Sequence, residues 1–380
     1  MRYLTPFVRH DLSRKMVFIG GPHQVGKTTL AKAILAEHSA GGCYLNWDSD
    51  EDRQRILQKK WQQSDHLLVF DELHKYPHWK QWLKGLYDTC GERHTILVTG
   101  SARLDIYRQG EDSLMGRYHY WRLHPMSLDE SPLEDTTARL KRLMVMGGFP
   151  EPLLLNNLRE AKRWRRERFD RVLQEDIRDL ESIRNIQSLR LLTDLLRQRV
   201  GGQVVISHLA ADIQVAPQTV KSWIEALANM YLLFQIKPYS QKIARAIQKP
   251  PKIYFYDNGD VLGDEGAIFE NLVATHLLKW LQFREDYEGD RCELCYLRDK
   301  EGREIDFVIV VNSVIEELIE VKLSDSSPSR GLRYYQQSLQ PQRTTQIVAN
   351  LSYSYEQHGI WVTHAEAYFQ TSPWESGEVL

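Results

Sequence analysis

Apolar residues follow two kinds of pattern along this chain. Short runs at residues 16–19, 67–70 and 95–98 are bounded by polar or turn-forming residues. That is the pattern of strands buried on both faces of a parallel sheet. Between them, spacings of three and four residues predict helices, as at 28–37, where Leu30, Ala33, Ile34 and Ala36 are expected on the buried face. Up to about residue 125 the two patterns alternate, which predicts a parallel α/β sheet. From 136 to 199 the chain reads as helical and highly charged, and Gly201-Gly202 marks a break. From Ser207 a short helix, a turn at Val215-Ala216 and a second helix opening on Pro217 read as a helix-turn-helix. Its second helix should turn Val220, Trp223, Ile224 and Leu227 inward and Gln218, Thr219, Lys221 and Ser222 outward, where a recognition helix carries its base-reading side chains. Alternating runs at 232–236 and 252–256 flank a loop with Lys242, Arg245 and Lys249, in the manner of a wing. In the last third a helix opens at Phe269-Glu270-Asn271-Leu272-Val273, followed by strand-like runs at 304–308 and 317–323.

The turn after the first apolar run is Gly21-Pro22-His23-Gln24-Val25-Gly26-Lys27-Thr28, the G-x-x-x-x-G-K-[ST] spacing of a P-loop in its strand-to-helix context. Gly21 and Gly26 let the backbone curl so that successive N–H groups point at phosphate oxygens, at the positive end of the next helix. Lys27 is expected to reach the β and γ phosphates of ATP and Thr28 to offer its hydroxyl to Mg2+, with Pro22, His23, Gln24, Val25 and Thr29 completing the loop. The second apolar run ends in Asp71-Glu72, as a Walker B strand would: Asp71 steadies the metal and Glu72 polarises the attacking water. The third ends in Thr99-Gly100-Ser101, and Thr99 or Ser101 is placed to sense the γ-phosphate from the neighbouring strand.

Composition narrows this only a little. With 380 residues, 42% of them hydrophobic, the chain can bury large cores and is long enough for two or three domains. A formal net charge of −2 gives no global attraction to nucleic acid, so any such contact must come from local patches. One local patch is the stretch of Arg159, Lys162, Arg163, Arg165, Arg166, Arg168 and Arg171. Glu160, Glu167 and Asp170 interleave with it, so both a solvated helix face and a nucleic-acid contact remain open. Cys43, Cys90, Cys292 and Cys295 are expected as reduced structural thiols. No leader peptide and no membrane-length apolar stretch is expected, which makes the cytoplasm the default location.

The last third suggests a second chemistry. In an extended strand Glu320 and Lys322 point to the same side, roughly 7 Å apart. A hairpin pairing would bring Asp306 beside them, and Glu270 would add a carboxylate from the helix. Such a set suits a metal-dependent phosphodiesterase, with Asp306, Glu320 and Glu270 holding Mg2+ or Mn2+ and Lys322 positioning or activating the water. Acid-x-Lys alone carries little weight, since Glu160-Ala161-Lys162 is another instance. The ordered set over helix, strand and strand carries the reading.

The stretches GPHQVGKTT, DELHKYPHW, TGSARLDIYRQGEDSLMGRYHYWRLHPMSLDE and GGFPEP resemble prokaryotic AAA+ ATPases with a carboxy-terminal domain of unknown function. SWIEALANMYLLFQIKPY, PKIYFYD, FENLV, REIDFVI and IEVK resemble that carboxy-terminal part, so the likeness spans nearly the whole chain. It implies an α/β fold: an AAA+ parallel sheet (1–125), a helical lid (126–200), a winged helix-turn-helix (201–256) and a PD-(D/E)XK nuclease-like domain (257–380). It also implies Arg117, in Gly116-Arg117-Tyr118, as an arginine finger. Two functions are expected. In one, ATP hydrolysis positions DNA or RNA for cleavage by the carboxy-terminal domain; in the other, an ATP-driven switch only binds DNA or a partner protein. A homo-oligomer is plausible, since such modules often share sites between subunits.

Overall fold

The computed structural model describes residues 2–91, 93–100, 114–130, 136–173, 185–240, 249–324, 327–370 and 372–376. The chain forms two compact units, the first Met1–His124 and the second Pro125–Ser376.

The first unit is built on β1 (Met16–Gly20), β2 (Gly42–Asn46), β3 (Leu67–Asp71), β4 (Thr95–Thr99) and β5 (Tyr118–Arg122), arranged in the order β2-β3-β4-β1-β5. Every pairing is parallel, with Val17 beside Leu97 and Leu97 beside Val69. β1 and β3 are buried along their whole length, as runs of apolar residues covered on both faces must be. Helices α1 (Thr5–Leu12), α2 (Lys27–Ala36), α3 (Asp50–Leu57) and α4 (Trp79–Cys90) surround the sheet. The buried face of α2 differs from expectation. It runs through Lys27, Leu30, Ala31 and Ile34, whereas Ala33 and Ala36 are exposed. Lys27, turned inward at the first position, sets the phase of the stripe, and positions three, four and seven residues on share it.

The second unit begins with helices α5 (Thr136–Met146), α6 (Pro150–Leu155), α7 (Leu158–Arg171) and α8 (Ile186–Arg197). Neither reading of the arginine-rich stretch survives for Arg165 and Arg168, which are buried. Arg165 donates from Nε to Asp257 (2.8 Å) and from Nη2 to the Met146 carbonyl (2.7 Å). The Arg168 guanidinium lies 4.0 Å from the centre of the Phe149 ring and 3.8 Å from Asp260, which also accepts from Arg197 at 2.7 Å. Burial lowers the pKa of Arg168, and Asp260 and Asp257 oppose that shift. These acids come from about 90 positions later in the chain, too far for a local pattern to announce them. Arg159, Lys162, Arg163, Arg166 and Arg171 are exposed.

Helices α9 (Ile206–Ile213) and α10 (Pro217–Asn229) meet at Gln214, whose φ of 61° is left-handed, and Pro217 occupies the first turn of α10. Val220, Trp223, Ile224 and Leu227 are buried, while Gln218 and Lys221 are exposed. A hairpin of β6 (Leu233–Pro238) and β7 (Lys252–Phe255) follows, then α11 (Glu265–Glu288), β8 (Cys292–Arg298), β9 (Glu304–Val311), β10 (Val314–Lys322), α12 (Arg330–Leu339), β11 (Arg343–Val348), β12 (Tyr355–Gln357) and β13 (Ile360–His364). The strands form one sheet in the order β12-β13-β11-β10-β9-β8-β6-β7. The hairpin joins it by a short parallel pairing, Lys237 beside Cys295 and Pro238 beside Tyr296. One face packs Ile305, Val308, Leu318, Leu332, Val348 and Val362 together. All four cysteines are free, and burial pushes the Cys295 thiol up to about 12. Among the described residues no helix is long and apolar enough to cross a membrane.

Candidate functional site

The loop after β1 has the backbone that its glycines permit. Gly21 has φ +134°, and a Cβ there would lie 2.4 Å from the Leu123 carbonyl oxygen. Gln24 (φ 61°) and Gly26 (φ 99°) complete the curl, and Gly26 caps the amino end of α2. The amino-terminal turn of a helix in general presents N–H groups at its open end, which suits an anion. Lys27 is buried, and its ammonium donates to the carbonyls of Gly21 (3.0 Å) and Pro22 (2.6 Å). Val25 is buried, and its carbonyl accepts from Arg2 at 2.7 Å. Pro22 is also buried, His23 is half-buried, and Gln24 and Thr29 are exposed.

Asp71, at the carboxyl end of β3, gathers three hydroxyls. Its Oδ2 accepts from Thr28 (2.7 Å) and Tyr44 (2.6 Å), and its Oδ1 accepts from Thr99 (2.5 Å). Strand order explains this meeting: β4, carrying Thr99, lies between the P-loop strand β1 and β3. Glu72 follows in a left-handed conformation (φ 57°), with its N–H donating to the Thr99 carbonyl at 3.0 Å. Its carboxylate lies 3.5 Å from His74 Nε2 and 3.7 Å from Lys75 Nζ. Burial raises its pKa, and Lys27 and Lys75 oppose the shift. A raised pKa makes Glu72 a stronger base than an ordinary carboxylate. Carboxylate beside hydroxyl, next to a glycine-bent loop and an ammonium, is the donor set that Mg2+ with a triphosphate requires.

The sequence reading missed Tyr44. Its signal was weak, a single tyrosine within the short β2. Ser101, the alternative to Thr99, lies outside the described residues. Arg117 stands just before β5, at the amino end of the sheet. Because β5 runs parallel to β1, Arg117 is a strand length of five residues from the P-loop end, about 16 Å at roughly 3.3 Å per residue. It pairs with Asp88 through Nε (2.8 Å) and Nη2 (3.3 Å).

A second cluster of charge lies in the carboxy-terminal unit. β9 and β10 pair antiparallel, and Asp306 Oδ2 accepts from the Val321 N–H at 2.9 Å. Lys322 Nζ pairs with Glu320 at 2.7 Å, and Ser329 donates to the same carboxylate. Glu270, on α11, accepts from the Tyr254 hydroxyl at 2.6 Å. Burial, then Asp306, raises the Glu270 pKa to about 7. Lys252, which the sequence reading took only as the start of a strand run, stands in the middle. Its ammonium is 2.6 Å from Glu304, 3.4 Å from Glu270 and 3.6 Å from Asp306. Burial works against its charge, yet those three carboxylates hold its pKa above the ordinary lysine value. The available signal was a lysine in an otherwise apolar strand, two residues from Tyr254 and therefore on the same face. Among the described residues no three His, Cys, Asp or Glu side chains are grouped to hold a metal ion. On the helix pair, Lys221 is exposed, as is Lys249 on the hairpin loop; Lys242 and Arg245 lie outside the described residues.

Residues 13–131 match the family described as AAA domain. The first unit is therefore similar to an AAA domain, and its loop after β1 has the P-loop spacing. Beyond the AAA domain, residues 137–261 and 265–368 match two families described as domains of unknown function, DUF8612 and DUF4143. An uncharacterized protein of Mycobacterium tuberculosis is 25% identical over 246 residues, 64% of this chain and 54% of the relative. One of Methanocaldococcus jannaschii is 22% identical over 364 residues, covering 86% of this chain and 79% of that protein. The chain thus spans about half the length of the mycobacterial relatives it matches. Solved structures that resemble it include the Holliday junction branch migration motor RuvB of Thermotoga maritima, at 18% identity and a TM-score of 0.30, over 60% of this chain and 85% of that one. The ORC1 protein of Aeropyrum pernix in complex with DNA resembles it at 12% identity and a TM-score of 0.35, over 72% of this chain and 96% of that one.

Proposed function

We propose that this chain is a Mg2+-dependent AAA+ ATPase whose turnover drives a nucleic-acid-binding carboxy-terminal unit. The observation that carries the reading is the convergence of Thr28, Asp71 and Thr99 beside the P-loop, with Glu72 immediately next to them. Bound Mg-ATP supplies the phosphoanhydride that is split. Lys27 would exchange its loop carbonyls for phosphate oxygens, Thr28 and Asp71 would hold a Mg2+ that offsets phosphate charge, and Glu72 would take the proton of the attacking water. Thr99 and Tyr44 fix the Asp71 carboxylate. Arg117 serves a neighbouring copy in a homo-oligomer, which requires it to leave Asp88. The test is turnover: Glu72→Gln should bind ATP but hydrolyse it about 10²–10⁴-fold more slowly, and Lys27→Ala should not bind it. Normal turnover in Glu72→Gln would assign the base elsewhere.

For the second unit, the exposed start of α10 and the basic hairpin loop support contact with a nucleic-acid backbone through Lys221, Lys242, Arg245 and Lys249. Cleavage would need Asp306, Glu320 and Glu270 to share a divalent metal, with Lys322 beside the water. Lys252 stands against two of those carboxylates, and this observation favours binding without cleavage.

A further inference from the structure

The carboxylate cluster of the second unit already contains a cation built into the fold. We propose that the Lys252 ammonium is the resident cation of Glu270, Glu304 and Asp306, occupying ground that Mg2+ or Mn2+ would need. The cluster as folded therefore takes up no divalent metal and cuts no phosphodiester. This deepens the binding-without-cleavage reading and is independent of the ATPase.

Three features support it. First, Lys252 cannot easily swing away. Its side chain is 1% exposed and its backbone is held on both sides, by Ile236 of β6 and by a bridge to Gln203. Second, the carboxylates are already committed to partners. Glu270 accepts from Tyr254, Glu304 from Arg298 at 2.7 Å, Asp306 from the Val321 N–H, and Glu320 from Lys322 and Ser329. Lys252, Lys322 and Arg298 bring three positive charges to the carboxyl groups of Glu270, Glu304, Asp306 and Glu320. Third, a metal entering here would leave a buried ammonium without its counter-ions, which is strongly unfavourable. Mg2+ also demands near-octahedral oxygen ligands at about 2.0–2.1 Å, and these carboxylates are spread around an ammonium instead.

Mn2+ titration of the full chain without nucleotide, followed by electron paramagnetic resonance, tests the inference. Wild type and Asp306→Asn should bind the same number of Mn2+ ions. Lys252→Met should gain one equivalent, and Lys252→Met combined with Asp306→Asn should lose it again. If Lys252→Met does not fold, the comparison of wild type with the near-isosteric Asp306→Asn still decides. A wild-type Mn2+ site abolished by Asp306→Asn overturns the inference. If wild type also cuts DNA or RNA with Mn2+ and Asp306→Asn does not, binding without cleavage fails too. A Mn2+ site without cleavage overturns the resident cation alone.

Discussion

At the scale of single residues, the candidate nucleotide site is marked in the sequence because the residues proposed for it are contiguous in the chain. Eight consecutive residues make the loop, and Asp71-Glu72 end one strand. Tyr44 and Lys252 were not legible, since each acquires its role only when strands pair: Tyr44 through β2 lying beside β3, Lys252 through the hairpin joining the larger sheet. Tyr44→Phe removes one of three hydrogen bonds to Asp71, and the expected cost is about 1.5–3 kcal/mol for a bond to a charged acceptor. Urea denaturation reads that loss, and an unchanged midpoint would mean the bond contributes nothing. Gly21→Ala should abolish nucleotide binding in a protein that remains folded, because the new Cβ meets the backbone of Leu123, which cannot move aside as a flexible side chain would.

At the scale of elements, the apolar patterns marked β1, β3, β4, β6, β7, β9 and β10 but not β2, β5, β8 or β11–β13, and they did not mark which charged residues would be buried. α7 reads as a solvated helix face or a nucleic-acid contact until Asp257 and Asp260 pair with Arg165 and Arg168. Asp257→Ala should therefore destabilise the second unit by about 3–5 kcal/mol, by leaving Arg165 unpaired in the interior. An effect of a few tenths in denaturant unfolding would contradict that. A second element-level device ties the segment after residue 125 to α11. His276 Nδ1 donates to the Leu272 carbonyl (2.8 Å), and Nε2 accepts from the Leu128 N–H (3.0 Å). Burial lowers its pKa from 6.5 to about 4. The unfolded chain therefore takes up this proton first as pH falls, and stability is lost between about pH 6.5 and 4. The expected loss is roughly 3 kcal/mol, and His276→Gln should remove that part of the pH dependence. Equal pH slopes in the two proteins would refute the assignment.

At the scale of the whole molecule, the proposed nucleotide chemistry falls in Met1–His124 and the proposed nucleic-acid contacts in Pro125–Ser376. Neutralising Lys221, Lys242, Arg245 and Lys249 together should weaken DNA binding and flatten its salt dependence by about 0.9 in slope per lost phosphate contact. Unchanged affinity would remove the helix pair and hairpin loop as the contact surface. If Arg117 acts on a neighbour, Arg117→Ala should abolish the rise of specific ATPase activity with protein concentration while leaving ATP binding intact. The account depends most on the triphosphate itself, and calorimetry of the folded full chain with Mg-ATP addresses it directly. Saturable binding near one equivalent, lost in Lys27→Ala, is the predicted result; no heat of binding for ATP, GTP or ADP with folded wild-type protein would contradict it.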